Sequence, residues 1–353
     1  MNEDYWVDLR ALEVAGALQA AAASARERAS AEDRVALSLG LPGIELAVDG
    51  VGRLATAALT NSFAHLSDVR PPPGATRLTW TIVDGRLVGD GAPPVPPAPG
   101  PLGRYGTLHH DLDRTVLIER RHALTTSFDP VRGELISLTE DPGQIDNDVL
   151  AKPLLRFLFG QLWDAGFATT HAALIGRNGR GMLITGRGGA GKSTITAAAL
   201  AAGFDVVADD FVAVSAEGGG FVGQSLYASL LLDAERSPAA QLHAGRLRPA
   251  RPGSELKALL PIFEHFPGQI AERLTIDAVA VPRITSDAGS SLEPLSQAAA
   301  ARALLPSSVL SAPGREAERA PLLFDVVASV PSFSYLSGAD PEGIGQPLER
   351  FLG

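Results

Sequence analysis

The sequence predicts an α/β architecture for residues 146–353 with an α+β domain over residues 1–145, and three observations carry that reading. The apolar stretch Met182-Leu183-Ile184-Thr185 runs straight into the glycine-rich segment Gly186-Arg187-Gly188-Gly189-Ala190-Gly191-Lys192-Ser193. A helical stretch then extends from Ser193 to about Ala202 and is closed by Gly203. After it, Phe204-Asp205-Val206-Val207-Ala208 has the continuous apolar character of a buried strand and ends in Asp209-Asp210.

Bulk properties narrow the class. A chain of 353 residues holds one large or two ordinary domains, at roughly 100–200 residues each. With 45% hydrophobic and 20% charged residues, it has the composition of a globular protein with a sizeable core. The formal charge of −10 argues against a nucleic-acid binder, which needs a basic face for phosphates. Cysteine is absent, which removes disulfides, thiolate zinc sites and cysteine nucleophiles and suits a reducing compartment. The acidic start, Met1 to Trp6, lacks the basic and apolar regions of a signal peptide. No apolar run approaches the roughly 20 residues of a membrane span. The expected location is the cytoplasm, with no membrane partner; a homo-oligomer is left open. Lysine occurs only at 152, 192 and 257, so each one is of interest.

Taken in order, residues 9–36 are Ala-rich and read as one or two surface helices. Ile44–Val48 and Arg77–Val83 alternate or cluster like strands, as do Thr115–Ile118 and Glu134–Leu138. Between them, the proline-dense stretch 91–100 excludes helix and central strand, because proline removes a donor and fixes φ; it reads as an interdomain linker or a long surface loop. Asp146 to Ala165 has a broad apolar helical face. His171-Ala172-Ala173-Leu174-Ile175 reads as a strand and Gly176–Gly181 as a turn before the strand already described.

The glycine segment matches GxxxxGK[ST] in its required context, with an apolar strand before it and a helix after it. Glycines at 186, 188, 189 and 191 let the backbone bring N–H groups to phosphate oxygens, and Ala190 and Thr194 flank them. A helix N-terminus adds positive potential. Lys192 reaches the terminal phosphates of a nucleotide, and the Ser193 hydroxyl can ligate Mg²⁺. Asp209 and Asp210 close the next strand, at the end where open α/β sheets hold their ligands. One acid there can hold Mg²⁺ and the other can take a proton from an attacking hydroxyl. ATP and Mg²⁺ are the implied cofactors.

From His171 through the loop to Asp210, the chain resembles the catalytic domain of bacterial HPr serine kinase/phosphorylase, whose fold is related to phosphoenolpyruvate carboxykinase. The close match covers about residues 171–215, with a looser one that includes Val330-Pro331-Ser332-Phe333-Ser334-Tyr335-Leu336. The resemblance implies a mixed sheet, Asp209 as general base toward a serine hydroxyl, Asp210 as metal ligand, and His171 near the reacting phosphate. The chain departs from the family at Thr194, where HPr kinases carry Glu, and lacks their signature beyond the aspartates. That pattern is similar to divergent HPr-kinase-like proteins, among them kinases of lasso-peptide precursors. A peptide or protein hydroxyl is therefore the expected acceptor.

Other residues carry two readings each. His171 is either a satisfied strand histidine or a site residue. His243, Arg246, Arg248, Arg251 and Lys257 either close over phosphates or form a solvated loop. Arg283, after the apolar strand Ala278–Pro282, either aids the transferring phosphoryl group or marks a strand end. His109-His110-Asp111 lacks the spaced partners of a metal site and reads as loop. Phe333 and Tyr335 read as core. Two further functions compete: a small-molecule kinase, since shikimate-type kinases also place a carboxylate on the strand after the loop helix, and a nucleotide-binding regulatory module without transfer.

Overall fold

The computed structural model describes residues 9–67, 69–92, 95, 107–110, 117–121, 123–251, 257–309 and 316–353. It is a mixed α/β protein that divides into two compact units. Met1–Asn61 and Leu66–Pro153 form one; Ser62–His65 and Leu154–Gly353 form the other. Among the described residues, no helix is long and apolar enough to cross a membrane.

The first unit contains α1 (Leu9–Arg28), β1 (Arg34–Leu41), β2 (Ile44–Val51), α2 (Arg53–Thr60), β3 (Thr76–Asp84), β4 (Thr107–His110), β5 (Leu117–Arg121), β6 (Leu124–Asp129), β7 (Glu134–Thr139) and α3 (Asn147–Ala151). Its described strands form one sheet in the order β1-β2-β3-β7-β6-β5-β4. In it β3 runs parallel to both neighbours, β2 and β7. The Ala-rich stretch is a single helix. Its Val14, Leu18, Ala21, Ala22 and Ala25 recur at helical spacing and are buried with Val51, Val83 and Leu138 of the sheet. The expected helical region ended at residue 36, but Arg34 already begins β1, where exposed and covered residues alternate from Arg34 to Ser38. Trp80 is fully buried, and its indole N–H donates to the Ser137 hydroxyl at 2.9 Å, so the one polar atom of that ring is paired as burial demands. His109 and His110 fall in a strand rather than a loop; Asp111, most of the proline-dense stretch and Thr115-Val116 lie outside the described residues.

The second unit contains α4 (Leu155–Asp164), β8 (Ala168–Thr170), β9 (Ala172–Arg177), β10 (Arg180–Thr185), α5 (Lys192–Ala201), β11 (Asp205–Ala208), β12 (Val212–Glu217), β13 (Gly220–Gln224), β14 (Ser229–Leu232), β15 (Ala258–Pro261), α6 (Ile262–His265), β16 (Arg273–Ile284), β17 (Ser291–Pro294), α7 (Gln297–Val309), α8 (Glu316–Ser329), β18 (Ser332–Ser337) and α9 (Gln346–Leu352). The expected helix from Asp146 to Ala165 is broken. Pro153 disfavours helical backbone at the residue before it, and Leu154 takes φ +60°, left-handed, so α3 and α4 are separate elements.

The main sheet of this unit runs β11-β9-β10-β16-β13-β12-β8, with β18 on the C-terminal half of β16 and β17 beyond it. β10 and β18 are parallel to β16; β9 is antiparallel to β10 and β11. Both faces are covered. Met182 and Ile184 of β10 lie in one core with Ile195 and Leu200 of α5, whereas Leu183 between them lies in the other with Leu304 of α7 and Val326 of α8. That switch from residue to residue is the strand's two-residue period. Full burial of each such side chain stabilises the fold by about 1.5–3 kcal/mol, so β10 is held firmly on both faces where it enters the glycine loop.

Candidate phosphate-binding site

The hairpin of β9 and β10 turns at Asn178-Gly179, both at positive φ, which returns the chain along β10 toward the loop. Gly189 and Gly191 take φ +80° and +108°, a region that side chains with a Cβ rarely enter. Arg187, Gly188 and Gly189 are exposed, while Gly186 and Lys192 are buried. The first intrahelical bond of α5 runs from Ile195 N–H to the Gly191 carbonyl at 3.0 Å. The N–H groups ahead of it therefore have no carbonyl within the helix and carry the positive end of the helix dipole. Lys192 folds back over the loop, and its ammonium donates to the Gly186 carbonyl at 2.9 Å.

The turn after β11 brings in the acids. The Ser193 hydroxyl donates to Asp209 Oδ2 at 2.9 Å, joining the first turn of α5 to the end of β11. Asp209 is buried, and its second oxygen, Oδ1, is a buried atom without a hydrogen-bond partner among the described residues. Burial raises the Asp209 carboxyl above the usual range, and the neighbouring Asp210 charge adds to it; the hydroxyls of Thr196 and Ser193 and the Lys257 ammonium oppose the shift. The Thr196 hydroxyl makes its own hydrogen bond to the Lys192 carbonyl at 3.1 Å, so it offsets the burial only in part. A hydroxyl beside a carboxylate with one unsatisfied oxygen fits a hard divalent cation, which takes oxygen ligands from few side chains and the rest from phosphate and water. No cluster of three His, Asp or Glu that would hold a metal without such help exists among the described residues.

Asp209 also predicts a stability effect. A carboxyl whose folded pKa is raised favours the folded state most below its unfolded pKa, and that favour is lost as pH rises through the folded value. As pH rises toward neutrality, in the absence of cation, the buried carboxyl therefore works increasingly against the fold. Asp209→Asn keeps an oxygen for the Ser193 hydroxyl and removes the charge, so its melting temperature near pH 7 is expected above that of the wild type, the gap narrowing as pH falls. Calorimetric melts of both proteins across pH measure this; an equal or lower melting temperature near pH 7 refutes it.

Asp210 has different surroundings. His171, directly ahead of β9, places Nε2 2.7 Å from Asp210 Oδ1, and the two side chains keep 20% and 28% of their exposure. The His171 ring stacks on Phe211, and its backbone N–H donates to the Ser308 hydroxyl at 3.0 Å. The two adjacent acids thus differ: one is buried against the loop helix, the other is accessible and paired with an imidazole.

The remaining candidates disperse. Thr194 shares a hydrogen bond with the Ser237 hydroxyl at 2.9 Å. His243 is buried, with Nε2 2.8 Å from the Ala197 carbonyl, and burial lowers its pKa; it braces α5 rather than meeting phosphate. Arg246 lies over the Phe266 ring at 5.0 Å. Arg251 and Lys257 are exposed, and Pro252 to Leu256 between them lie outside the described residues; of the two, only Lys257 counts among the charges acting on Asp209. Arg283 is an exposed residue of β16, opposite Leu336 of β18. Sequence reasoning missed Phe211 and Ser308, and nothing in their local sequence marks them.

A mixed α/β unit in which a glycine loop and a helix N-terminus meet the first of two adjacent strand-end acids defines the class of site. No family model matches the chain, and no curated protein matches it. Among solved structures it is similar to the HPr(Ser) kinase/phosphatase from Coxiella burnetii, at 13% identity over 52% of this chain and 95% of that one, with a TM-score of 0.29.

Proposed function

We propose that the chain is an ATP- and Mg²⁺-dependent kinase that transfers the γ-phosphoryl group to a hydroxyl, with serine or threonine of a peptide or protein as the acceptor. Residues 146–353 act as a P-loop catalytic domain of HPr-kinase type, and residues 1–145 as a domain for acceptor recognition. The observation that carries this reading is the 2.9 Å hydrogen bond from Ser193 to Asp209. It ties the phosphate-loop helix to a strand-end acid whose other oxygen is unsatisfied.

The geometry favours the two acids in the reverse order of that implied by the family resemblance. Ser193 Oγ and Asp209 are the groups that would hold Mg²⁺, which when bound supplies positive charge to the phosphate oxygens. Lys192, released from the Gly186 carbonyl, neutralises the terminal phosphates. Asp210, held by His171, accepts the proton of the acceptor hydroxyl. The acceptor oxygen then forms its bond to the γ-phosphorus as the bond from phosphorus to the bridging oxygen breaks, leaving a nucleoside diphosphate. Most of the catalysis is positioning and charge stabilisation in a partly desolvated site.

Incubation with ATP labelled at the γ-phosphate, Mg²⁺ and a pool of serine- and threonine-containing peptides is expected to label peptide. Label entering only a metabolite pool would redirect the assignment to a small-molecule kinase. Intact ATP after long incubation with both pools would refute transfer altogether.

A further inference from the structure

Phe211 follows the two acids, at a position where a turn leaves the strand and a large apolar ring is unexpected. It is half-buried and lies outside the two cores described above on the faces of the main sheet. Its ring instead stacks on His171, with centroids 5.0 Å apart and planes 21° from parallel. Behind it stands Phe159 of α4, centroids 5.6 Å apart and tilted by 52°; Phe159 itself is buried. The chain of contacts runs Phe159 to Phe211 to His171 to Asp210.

The need for such a wall follows from the freedom of a histidine. Ser308, fully buried on α7, fixes the backbone of His171, but the ring still turns about a broad, two-fold χ2. The 2.7 Å contact of Nε2 with Asp210 Oδ1 restrains that nitrogen and leaves the ring plane free to swing about it. A stacked aromatic face removes the swing, and such pairs contribute about 0.5–1.5 kcal/mol beyond burial. We infer that Phe211 is a positioning residue, whose ring, backed by Phe159, braces one face of the His171 ring so that His171 Nε2 holds Asp210 in one orientation toward the acceptor hydroxyl. Its kinetic consequence rests on the kinase reading above; its geometric content does not.

The test uses the full-length protein and two readouts. In carbon-13 histidine-labelled protein, one of seven histidines is assigned to His171 by the signal lost in His171→Gln. The Phe211 ring current is expected to hold the His171 ring protons upfield. Phe211→Leu is expected to move that signal toward the position of a solvent-exposed histidine, with the signals of half-buried His65 and buried His243 unmoved as proof of an intact fold. Transfer by Phe211→Leu is expected to lose about 2- to 13-fold in kcat, the stacking contribution expressed as a rate, with KM for ATP unchanged. Phe211→Tyr, which keeps the ring, restores both signal and rate. A His171 signal that does not move in Phe211→Leu overturns the proposal, as does a signal that moves while kcat stays at the wild-type value. If the wild type transfers no phosphate, the kinase reading fails alone, and the spectrum decides the brace: an upfield His171 signal that moves in Phe211→Leu and stays in Phe211→Tyr upholds it, and a signal unchanged in Phe211→Leu overturns it.

Discussion

Lys192→Ala is expected to transfer phosphate about 10²–10³-fold more slowly than the wild type, the loss that follows removal of one preorganised group facing developing charge. Two properties of the residue lead there. Lys192 is buried and reaches back to the Gly186 carbonyl, so its ammonium sits over the loop before any ligand arrives. No other lysine lies within the loop or its helix, and Arg187 on the loop is exposed. Affinity for ATP should weaken as well, since the same charge meets the ground-state phosphates; each tenfold rise in Kd corresponds to about 1.4 kcal/mol. Single-turnover assays and titration calorimetry measure the two effects separately. Wild-type transfer in this variant would end the phosphate-loop assignment.

Asp210→Asn and Asp209→Asn should fail in different ways. Asparagine at 210 retains an oxygen for His171 Nε2 but cannot take a proton, so transfer is expected to fall about 10²–10⁴-fold, the range of a lost general base, while Mg²⁺-dependent ATP binding persists. Asparagine at 209 keeps the bond to Ser193 and removes a negative charge beside the expected cation, so ATP affinity should lose much of its dependence on Mg²⁺. Binding isotherms with and without Mg²⁺, set beside transfer rates, separate the pair. The opposite pattern, with Asp209→Asn retaining Mg²⁺-dependent binding and Asp210→Asn losing it, would return the acids to the order implied by the family resemblance.

The local grammar of the second unit was readable without coordinates. An apolar run, glycines, a helix start and a second apolar run map onto β10, the loop, α5 and β11, because each depends on neighbours in sequence. β1 and the break at Pro153 were also legible in principle: the alternation from Arg34 to Ser38 and the proline itself are local signals that the Ala-rich and apolar helical patterns on either side obscured. The environments that distinguish Asp209 from Asp210 were not legible. They depend on Ser193 lying one helix upstream, on His171 brought in by an antiparallel neighbour, and on Phe159 and Ser308 from elements distant in sequence. The arginine-rich stretch kept two readings for the same reason. Composition cannot tell that His243 turns inward to the Ala197 carbonyl while Arg246 covers Phe266.

Ser62–His65 sits in the sequence amid the first unit yet packs within the second. Its Ser62 carbonyl receives Ala228 N–H, His65 Nε2 meets the Ser225 hydroxyl at 2.8 Å, and Phe63 lies against Tyr227. A polypeptide begun at Leu154 would therefore be missing four of the second unit's own residues, and would expose an aromatic ring and a hydroxyl that this tetrapeptide shelters. The second unit is drawn from two separate stretches of sequence, so it cannot be moved between proteins by a single cut.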